Sequence, residues 1–524
     1  MSSSGEHAGT LPDMDFDLIV IGSGFGGAMA AAPAVFAGKR VLMIEAGGWV
    51  DRGPHNWSPD GMSEKTPYYS HAAGFDVVAG GYGKTLGVYR CVGGASVFYG
   101  GVAMRLREAD FESSPEIDGQ SGAAWPYRYA DLEPFYTEAE TLLSVSGAAG
   151  EDPTEPPRSA PFPRPPAPLA NISTRISEAA RGLGLHPFRL PLAINYRDTD
   201  ARTVCVACGT CDGFACAVHA KNDVSVVLIP RLVQGGMTLM TDTPAVRLEH
   251  ANGRVTTVVC SDRNSATPTR FQARSVVVAC GALTTPRLLL ASGIANVNPA
   301  GASIGRYLMR HCNAVVMGLF ASPPAPSGEF HKQIGIHDYY FGHASVTSPK
   351  GRLGCLQQFA TPEPSLVRDY LPYGFGRLIA PIVSRTTGFI VMAEDRPQAG
   401  NGIQITGAPE SATTLPPASV THHYDDRDLA ARDVLVRAAR RILRKAGALK
   451  TYSHPIRTFS HAIGTVRLGT DPRTAPLDEW GAVRGLDNLY VTDGSALPRA
   501  GGVNPSLTIA ANALRTGHHV AEWL

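Results

Sequence analysis

Asp17-Leu-Ile-Val-Ile-Gly22-Ser-Gly24-Phe-Gly26-Gly27 decides how the rest of the chain is read. Apolar residues run straight into glycines, and an alanine-rich segment follows, so the stretch predicts a buried strand, a tight turn and a helix start. Gly22, Gly24 and Gly27 have the G-x-G-x-x-G spacing of a dinucleotide site. The first glycine permits the turn, the second lets the backbone approach a pyrophosphate, and the third lets helix and strand pack closely. Lys39-Arg-Val-Leu-Met-Ile-Glu45 reads as the next strand, ending in an acid about twenty residues on, where a ribose hydroxyl is expected. Pro33 is expected to kink the intervening helix.

The chain has 524 residues, of which 44% are apolar, enough for a sizeable core and more than one domain. A formal net charge of +1 gives no field that would favour nucleic acid or an anionic membrane. No apolar run is long enough to span a bilayer. Residues 1–13 are small and polar and read as a disordered tail, not a signal peptide, which makes a reducing cytoplasm the expected compartment.

Further along, Arg90-Cys-Val-Gly93-Gly94-Ala-Ser96-Val97-Phe98-Tyr99-Gly100-Gly101 is either a backbone that something large and flat approaches or a mobile glycine loop. Asp131 is placed to cap a helix, and the proline-dense stretch from Ala149 to Pro168 reads as a surface crossing. Four of the nine cysteines, Cys205, Cys208, Cys211 and Cys216, are spaced C-x2-C-x2-C-x4-C. That is close to an iron–sulfur run but not equal to it. A zinc site and a turn of free thiols, with or without a disulfide, are the alternatives. The other five cysteines read as buried thiols.

Val224 to Pro230 reads as a strand and turn. Residues 236–282 alternate as strands, with Asn252-Gly253 as a hairpin turn and Ser275 to Cys280 as a buried parallel strand. Residues from about 311 to 455 suit an antiparallel sheet flanked by helices, one of them running from Asp426 to Ala446. There His337, Tyr339, Tyr340, Gln357 and Gln358 either line a polar pocket or, more simply, lie on the lobe surface.

The last segment holds the densest chemistry. Ser460-His461-Ala-Ile-Gly464-Thr465 precedes a short strand, Leu489 to Thr492, whose end presents Asp493 and Gly494. Asn504-Pro505-Ser506 opens a final helix whose N–H groups can bind a partly negative ring oxygen. A histidine, a strand-end aspartate and an asparagine at a helix start fit a ligand held at the carboxyl edge of a parallel sheet.

Together these stretches resemble the glucose–methanol–choline (GMC) oxidoreductases over nearly the whole chain. The resemblance implies an α/β fold: a Rossmann-like FAD-binding domain (residues 14–120, 221–310 and 455–524) and a mixed-sheet substrate-binding domain (121–220 and 311–454), the latter including the Cys-rich insert 205–216. It implies FAD contacts at Gly22, Gly24, Phe25, Gly26 and Gly27 around the pyrophosphate, and at Glu45 and Ala46 around the ribose. Gly93, Gly94, Ser96 and Val97 would lie beside the ring system. Val246, Cys280 and Gly281 follow in the middle of the chain, then Asp493 and Gly494, and finally Asn504, Pro505 and Ser506. His461 and Asn504 match the family's active-site pair. Phe98 stands where some members attach flavin to a histidine, so the FAD is expected to be non-covalent.

The implied reaction oxidises a CH–OH group by hydride transfer to flavin N5, with His461 as general base and Asn504 orienting the hydroxyl. A sugar, polyol or glycoside is the first expectation for the substrate, and a steroid or long-chain alcohol the second. Molecular oxygen or another acceptor takes the electrons, and a homo-oligomer or an electron-transfer partner is compatible with the pattern. A non-redox flavoprotein lyase and an electron-transfer subunit wired through the cysteines are the competing readings.

Overall fold

The apolar runs flanking the first glycine turn are the centre of a five-stranded parallel sheet. Its order is β18 (Leu489–Val491), β10 (Ala273–Val278), β1 (Phe16–Ile21), β2 (Val41–Ile44), β6 (Thr238–Met240), and every neighbouring pair runs parallel. Leu18 to Ile21, Val41 to Ile44 and Val276 to Val278 are all buried, as strands covered on both faces must be. This computed structural model describes residues 15–57, 68–81, 83–119, 121–198, 202–262, 265–324, 329–361 and 381–524. The segment read as a disordered tail, 1–13, lies outside them.

The helix Phe25–Phe36 starts at Gly24 and runs through Pro33 to its end. It can be almost wholly buried because it is built from Ala, Gly and Met, and the C-terminal helix Ser506–Glu522 packs along it. The two ends of the sequence therefore cover the same sheet.

A three-stranded antiparallel layer, β7 (Ala245–Ala251), β8 (Arg254–Asp262) and β9 (Ser265–Phe271), leads into β10. Asn252 and Gly253 turn its first hairpin with φ of +51° and +73°, the left-handed pair that a two-residue hairpin turn needs.

The second large sheet is antiparallel. Its order is β17 (Lys450–Pro455), β11 (Cys312–Leu319), β14 (Thr386–Ala393), β13 (Gly354–Phe359), β12 (Ile334–Ile336), β5 (Phe188–Arg189). The amphipathic helix Asp426–Lys445, capped by the Asp425 carboxylate on the Asp428 N–H, covers one face together with Asn171–Arg181. A four-stranded sheet, β15 (Gly402–Ile405), β16 (Ala418–Thr421), β3 (Tyr69–Ala79), β4 (Thr85–Tyr89), completes the set among the described residues.

Two local expectations are corrected. Val224 to Pro230 is helical, as Val224–Val227 and Ile229–Gln234, because Asp223 caps the first turn by accepting the Ser225 N–H at 3.1 Å. Asp131 is the third residue of the helix Tyr129–Leu142, not its cap, and its carboxylate reaches back to the Arg128 N–H at 2.9 Å. The Gly- and aromatic-rich stretch after Glu45, which has too little periodicity for its sequence to assign a strand or helix, contains the β3–β4 pair, irregular in register between Ser70 and Phe75.

A Cβ added at Gly27 would lie 1.9 Å from the Gly22 carbonyl oxygen. Gly27→Ala is therefore expected to cost about 1–3 kcal/mol and to deplete bound flavin. Thermal unfolding and the flavin-to-protein absorbance ratio check this, and wild-type values for both would refute the packing argument.

Candidate active site

Ser23 ties together the first three segments of the nucleotide cradle. Its hydroxyl donates to Glu45 Oε2 at 2.6 Å, its N–H reaches the same oxygen at 3.2 Å, and its Oγ accepts the Gly93 N–H at 2.9 Å. Glu45 sits buried at the end of β2, where its other oxygen accepts the Gly47 N–H at 3.1 Å. Burial pushes its carboxyl above the usual range, and the Ser23 hydroxyl opposes that. Ala46 accepts a hydrogen bond from Arg90 through its carbonyl. Gly24 and Gly94 face each other without side chains: a Cβ on Gly94 would lie 3.5 Å from the Gly24 Cα. Ser96 donates to the Gly93 carbonyl at 2.6 Å, and Val97 is buried with Phe98 against Cys91 and Ala215.

The remaining cradle residues lie at the ends of β10 and β18. Asp493 accepts the Gly281 N–H at 3.0 Å through Oδ2, which also takes the Thr285 hydroxyl, and accepts the Ser495 N–H at 2.7 Å through Oδ1. It thereby fastens the end of β18 to the helix Gly281–Ala291. Gly494 accepts the Gly464 N–H at 3.0 Å, which brings the histidine segment alongside. The Cys280 thiol lies against the Ile21 carbonyl at 3.5 Å, and Val246 is buried in β7.

Neither the helix beginning at Phe25 nor the one beginning at Ser506 has a side-chain cap. Their leading N–H groups are thus open to an anion or a partly negative oxygen. Pro505 is the residue before the last helix's first turn rather than within it. Uncapped helix starts and glycine-lined backbone fit a dinucleotide at the first helix and an electron-accepting ring at the last.

His311 links the two segments that carry the catalytic candidates. The His461 and His311 rings lie 5.2 Å apart and nearly perpendicular, at 83°. His311 Nε2 donates to the Gly501 carbonyl at 3.0 Å, three residues before Asn504. His461 Nδ1 is buried and hydrogen-bonds to no residue among those described, while the residue as a whole is half-buried. Burial first, then the nearby His311 and Lys332, pushes its pKa down to about 3, against the opposing pull of Asp395. The ring is therefore neutral at physiological pH.

Asn504 Oδ1 accepts a 2.6 Å bond from Gln357 Nε2. Gln357, His337, Tyr339, Tyr340 and Gln358 are all buried, which corrects the reading of them as lobe surface. Only Gln357 joins the site directly. Gln358 points to the opposite face, accepting from Ser173 at 3.0 Å. Tyr340 supports the site's backbone, accepting the Gly502 N–H at 2.8 Å and donating to Asp110 at 2.6 Å. His337 pairs with Asp152 at 2.6 Å. Lys332, which no motif marks, is buried and donates to the Gly100 carbonyl at 3.0 Å while pairing with Asp212.

Profiles of the GMC oxidoreductase family match residues 17–313 and 397–513. The chain belongs to the GMC oxidoreductases. It is 33% identical to paromamine 6'-oxidase of Streptomyces fradiae, over 97% of this chain and 92% of that protein. It is 32% identical to 6'''-hydroxyparomomycin C oxidase of Streptomyces lividus, over 98% and 92% respectively. Among solved structures, pyridoxine 4-oxidase from Mesorbium loti superposes with a TM-score of 0.67 at 19% identity, covering 96% of this chain and 99% of that one, a likeness of fold. The chain is an oxidoreductase of this family, and the cradle fits its FAD. Among the described residues, no helix is long and apolar enough to cross a membrane.

The Cys-rich segment of this GMC oxidoreductase packs against the glycine loop of the cradle. Lys221, buried, donates to the carbonyls of Tyr99 at 2.6 Å, Cys211 at 3.0 Å and Phe214 at 2.7 Å. The Gly213 N–H donates to the Phe98 carbonyl at 3.0 Å. Cys205, Cys208, Cys211 and Cys216 are free thiols, and among the described residues no three His, Cys, Asp or Glu side chains gather to hold a metal. The expectation of an iron–sulfur cluster thus finds no support in the geometry: a lysine ammonium, not a metal, draws this segment's carbonyls together.

The thiols differ in character. The Cys211 thiol donating to it, with help from the Thr210 hydroxyl, brings Cys208 down to about 5. The same hydrogen bond and burial hold Cys211 well up, and burial pushes Cys205 up to about 11. Iodoacetamide at neutral pH is expected to alkylate Cys208 well before Cys205 or Cys211. Peptide mass mapping of a time course reads the order, and equal labelling of the three would overturn this assignment.

Proposed function

We propose that this protein oxidises a CH–OH group of an amino sugar or related glycoside to a carbonyl, with His461 taking the hydroxyl proton and Asn504 hydrogen-bonding the same oxygen. The observation that carries the chemistry is a neutral, half-buried imidazole with Nδ1 unpartnered, linked through His311 and the Gly501 carbonyl to the backbone leading to Asn504, whose amide is already engaged by Gln357. Two relatives named as oxidases of paromamine and a hydroxyparomomycin, aligned over nearly the whole chain, favour the amino-sugar class over a steroid or long-chain alcohol.

FAD, when bound, supplies the acceptor for the electron pair leaving the carbinol carbon. The protein's own groups do the rest. Ser23, Glu45 and the helix start at Phe25 hold the dinucleotide. The N–H groups at Ser506 would stabilise negative charge on the cofactor's ring. His461 removes the proton from the carbinol oxygen, and Asn504 fixes that oxygen's position. Phe98, stacked on Tyr89 at 4.5 Å between centroids, offers no nucleophile, in keeping with non-covalent FAD. The FAD-binding unit comprises 14–120, 221–310 and 455–524, and the substrate-binding unit comprises 121–220 and 311–454.

An anaerobic screen with paromamine, glucosamine and glycerol, read by flavin absorbance and followed by air, tests the reaction, the donor and the acceptor. Bleaching by an amino sugar is expected, and rapid recolouring in air makes the protein an oxidase. No bleaching by any alcohol would favour the lyase reading. His461→Ala is expected to keep its flavin and lose about a hundred- to ten-thousand-fold in reductive rate. Because His461 is protonated only below about pH 3, the wild-type rate is expected to stay flat from about pH 5 to 8. An acid limb between pH 6 and 7, or near-normal reduction in His461→Ala, would place the base elsewhere.

A further inference from the structure

We propose that Gln357 is a positioning residue that fixes which end of the Asn504 carboxamide meets the reacting oxygen. This rests on the reading of His461 and Asn504 as the pair facing the substrate.

The placement follows from the sheet. Gln357 lies on β13, opposite Ile390 of β14 and Gly335 of β12, so it is held from both sides. Successive side chains of a strand point to opposite faces. Leu356 packs into the core under the helix Asp426–Lys445, whereas Cys355 belongs to the core of the parallel sheet. Gln357 shares the Cys355 face and points toward the nucleotide-binding side. It is 2% exposed, and it also reaches the Cys355 Sγ at 3.3 Å, so its amide cannot swing freely.

An asparagine amide presents an acceptor at one end and donors at the other. Gln357 Nε2 donates to Asn504 Oδ1 at 2.6 Å. With Oδ1 occupied, the N–H2 end is turned away from Gln357. Asn504 is only partly buried, while Gln357 is fully buried behind it. The open end of Asn504 is thus a donor.

That polarity suits the chemistry. As the proton leaves, the carbinol oxygen gains negative charge, and a donor aimed at it stabilises the transition state. An amide oxygen in the same place would oppose it. Losing one such donor typically costs about a hundred- to a thousand-fold in rate. Reversing the amide removes that donor and sets an oxygen in its place, so a loss of about a hundred-fold or more is expected.

Gln357→Glu is the test, because an ionised carboxylate cannot donate to Oδ1. At alkaline pH Asn504 must turn to donate to the introduced carboxylate, and its oxygen then faces the substrate. Stopped-flow flavin reduction with paromamine, or with whichever alcohol of the panel bleaches the wild type, should slow by about a hundred-fold or more at pH 9, with normal flavin content. The rate should climb as the pH falls and the introduced carboxylate regains its proton, a limb absent from the wild type. In an Asn504→Ala background, Gln357→Glu should cost nothing further. Neutron diffraction of perdeuterated crystals reads the amide directly: deuterons on the Asn504 nitrogen pointing away from Gln357 in the wild type, and toward the new carboxylate in the variant at alkaline pH.

Should Gln357→Glu fail to retain flavin, Gln357→Met serves, with a smaller loss and no pH limb. Wild-type rates in either variant alongside a slow Asn504→Ala would remove Gln357 alone. Wild-type rates in Asn504→Ala would instead remove the underlying assignment of the site. Additive losses in the double variant, or an unturned amide, would reduce Gln357 to a packing residue.

Discussion

Three neighbouring strand ends meet over backbone that carries no side chains, and the rest of the structure depends on that close approach. A Cβ on Gly22 would lie 2.4 Å from the Ala279 oxygen, one on Gly26 2.7 Å from the Thr492 oxygen, and one on Gly27 1.9 Å from the Gly22 oxygen. Real Cβ atoms do not approach that closely, so each glycine sets how near β1 or the helix after it comes to a neighbouring element. The turn at Gly22, at φ +100°, lies in a region that side chains disfavour. Because β1, β10 and β18 end together, the first helix start, Gly281 and Asp493 share one edge of the sheet. The carboxyl edge of a parallel sheet is where ligands collect, and here glycine is what leaves room for one.

The end of the chain needs a different constraint, since no sheet hydrogen bonds hold residues 499–504. A buried polar network takes their place. Glu394 accepts from Arg499 at 3.0 Å and from the Gly501 N–H at 3.1 Å, Arg499 pairs with Asp118 at 3.2 Å, and Tyr340 links Gly502 to Asp110. Buried ion pairs of this kind contribute little net stability, because desolvation offsets their attraction, but removing one partner is costly. Their effect here is positional. They fix the backbone leading to Asn504, while His311 fixes it from the opposite side through the Gly501 carbonyl.

The parts of this architecture that were legible in the sequence are those where one physical cause dominates. Val276 to Val278 and Leu18 to Ile21 could only be strands buried on both faces, and Asn252-Gly253 could only be a tight hairpin turn. Val224 to Val227 misled because its β-branched residues favour strand while a single aspartate cap and a tertiary neighbour favour helix. Gln357 was visible as a polar residue in an apolar run, but its partner lies 147 positions away. Only the register of β13 decides that it, and not Gln358, faces the cradle. Lys221 and Lys332 were illegible for the same reason: Lys221 donates to backbone carbonyls, which leave no mark on sequence, and Lys332 divides itself between the Gly100 carbonyl and Asp212, 120 positions away.

On the reading proposed here, the electrostatics of the site explain why the asparagine's polarity matters. A base whose pKa is down near 3 takes a proton from an alcohol at a large free-energy cost, since each unit of mismatch is about 1.4 kcal/mol. That cost falls only if the oxygen left behind is stabilised as the proton departs. Burial, with His311 and Lys332, holds His461 neutral and so also disfavours the imidazolium it becomes, and Asp395, which draws the other way, offsets them in part. The remaining stabilisation has to act on the substrate oxygen itself. A carboxamide presenting its donor end does so without adding a charge that would perturb the base. A charged donor in the same position would depress His461 further, and an acceptor would oppose the reaction outright. A neutral base at this depth of burial therefore calls for a neutral, oriented donor beside it.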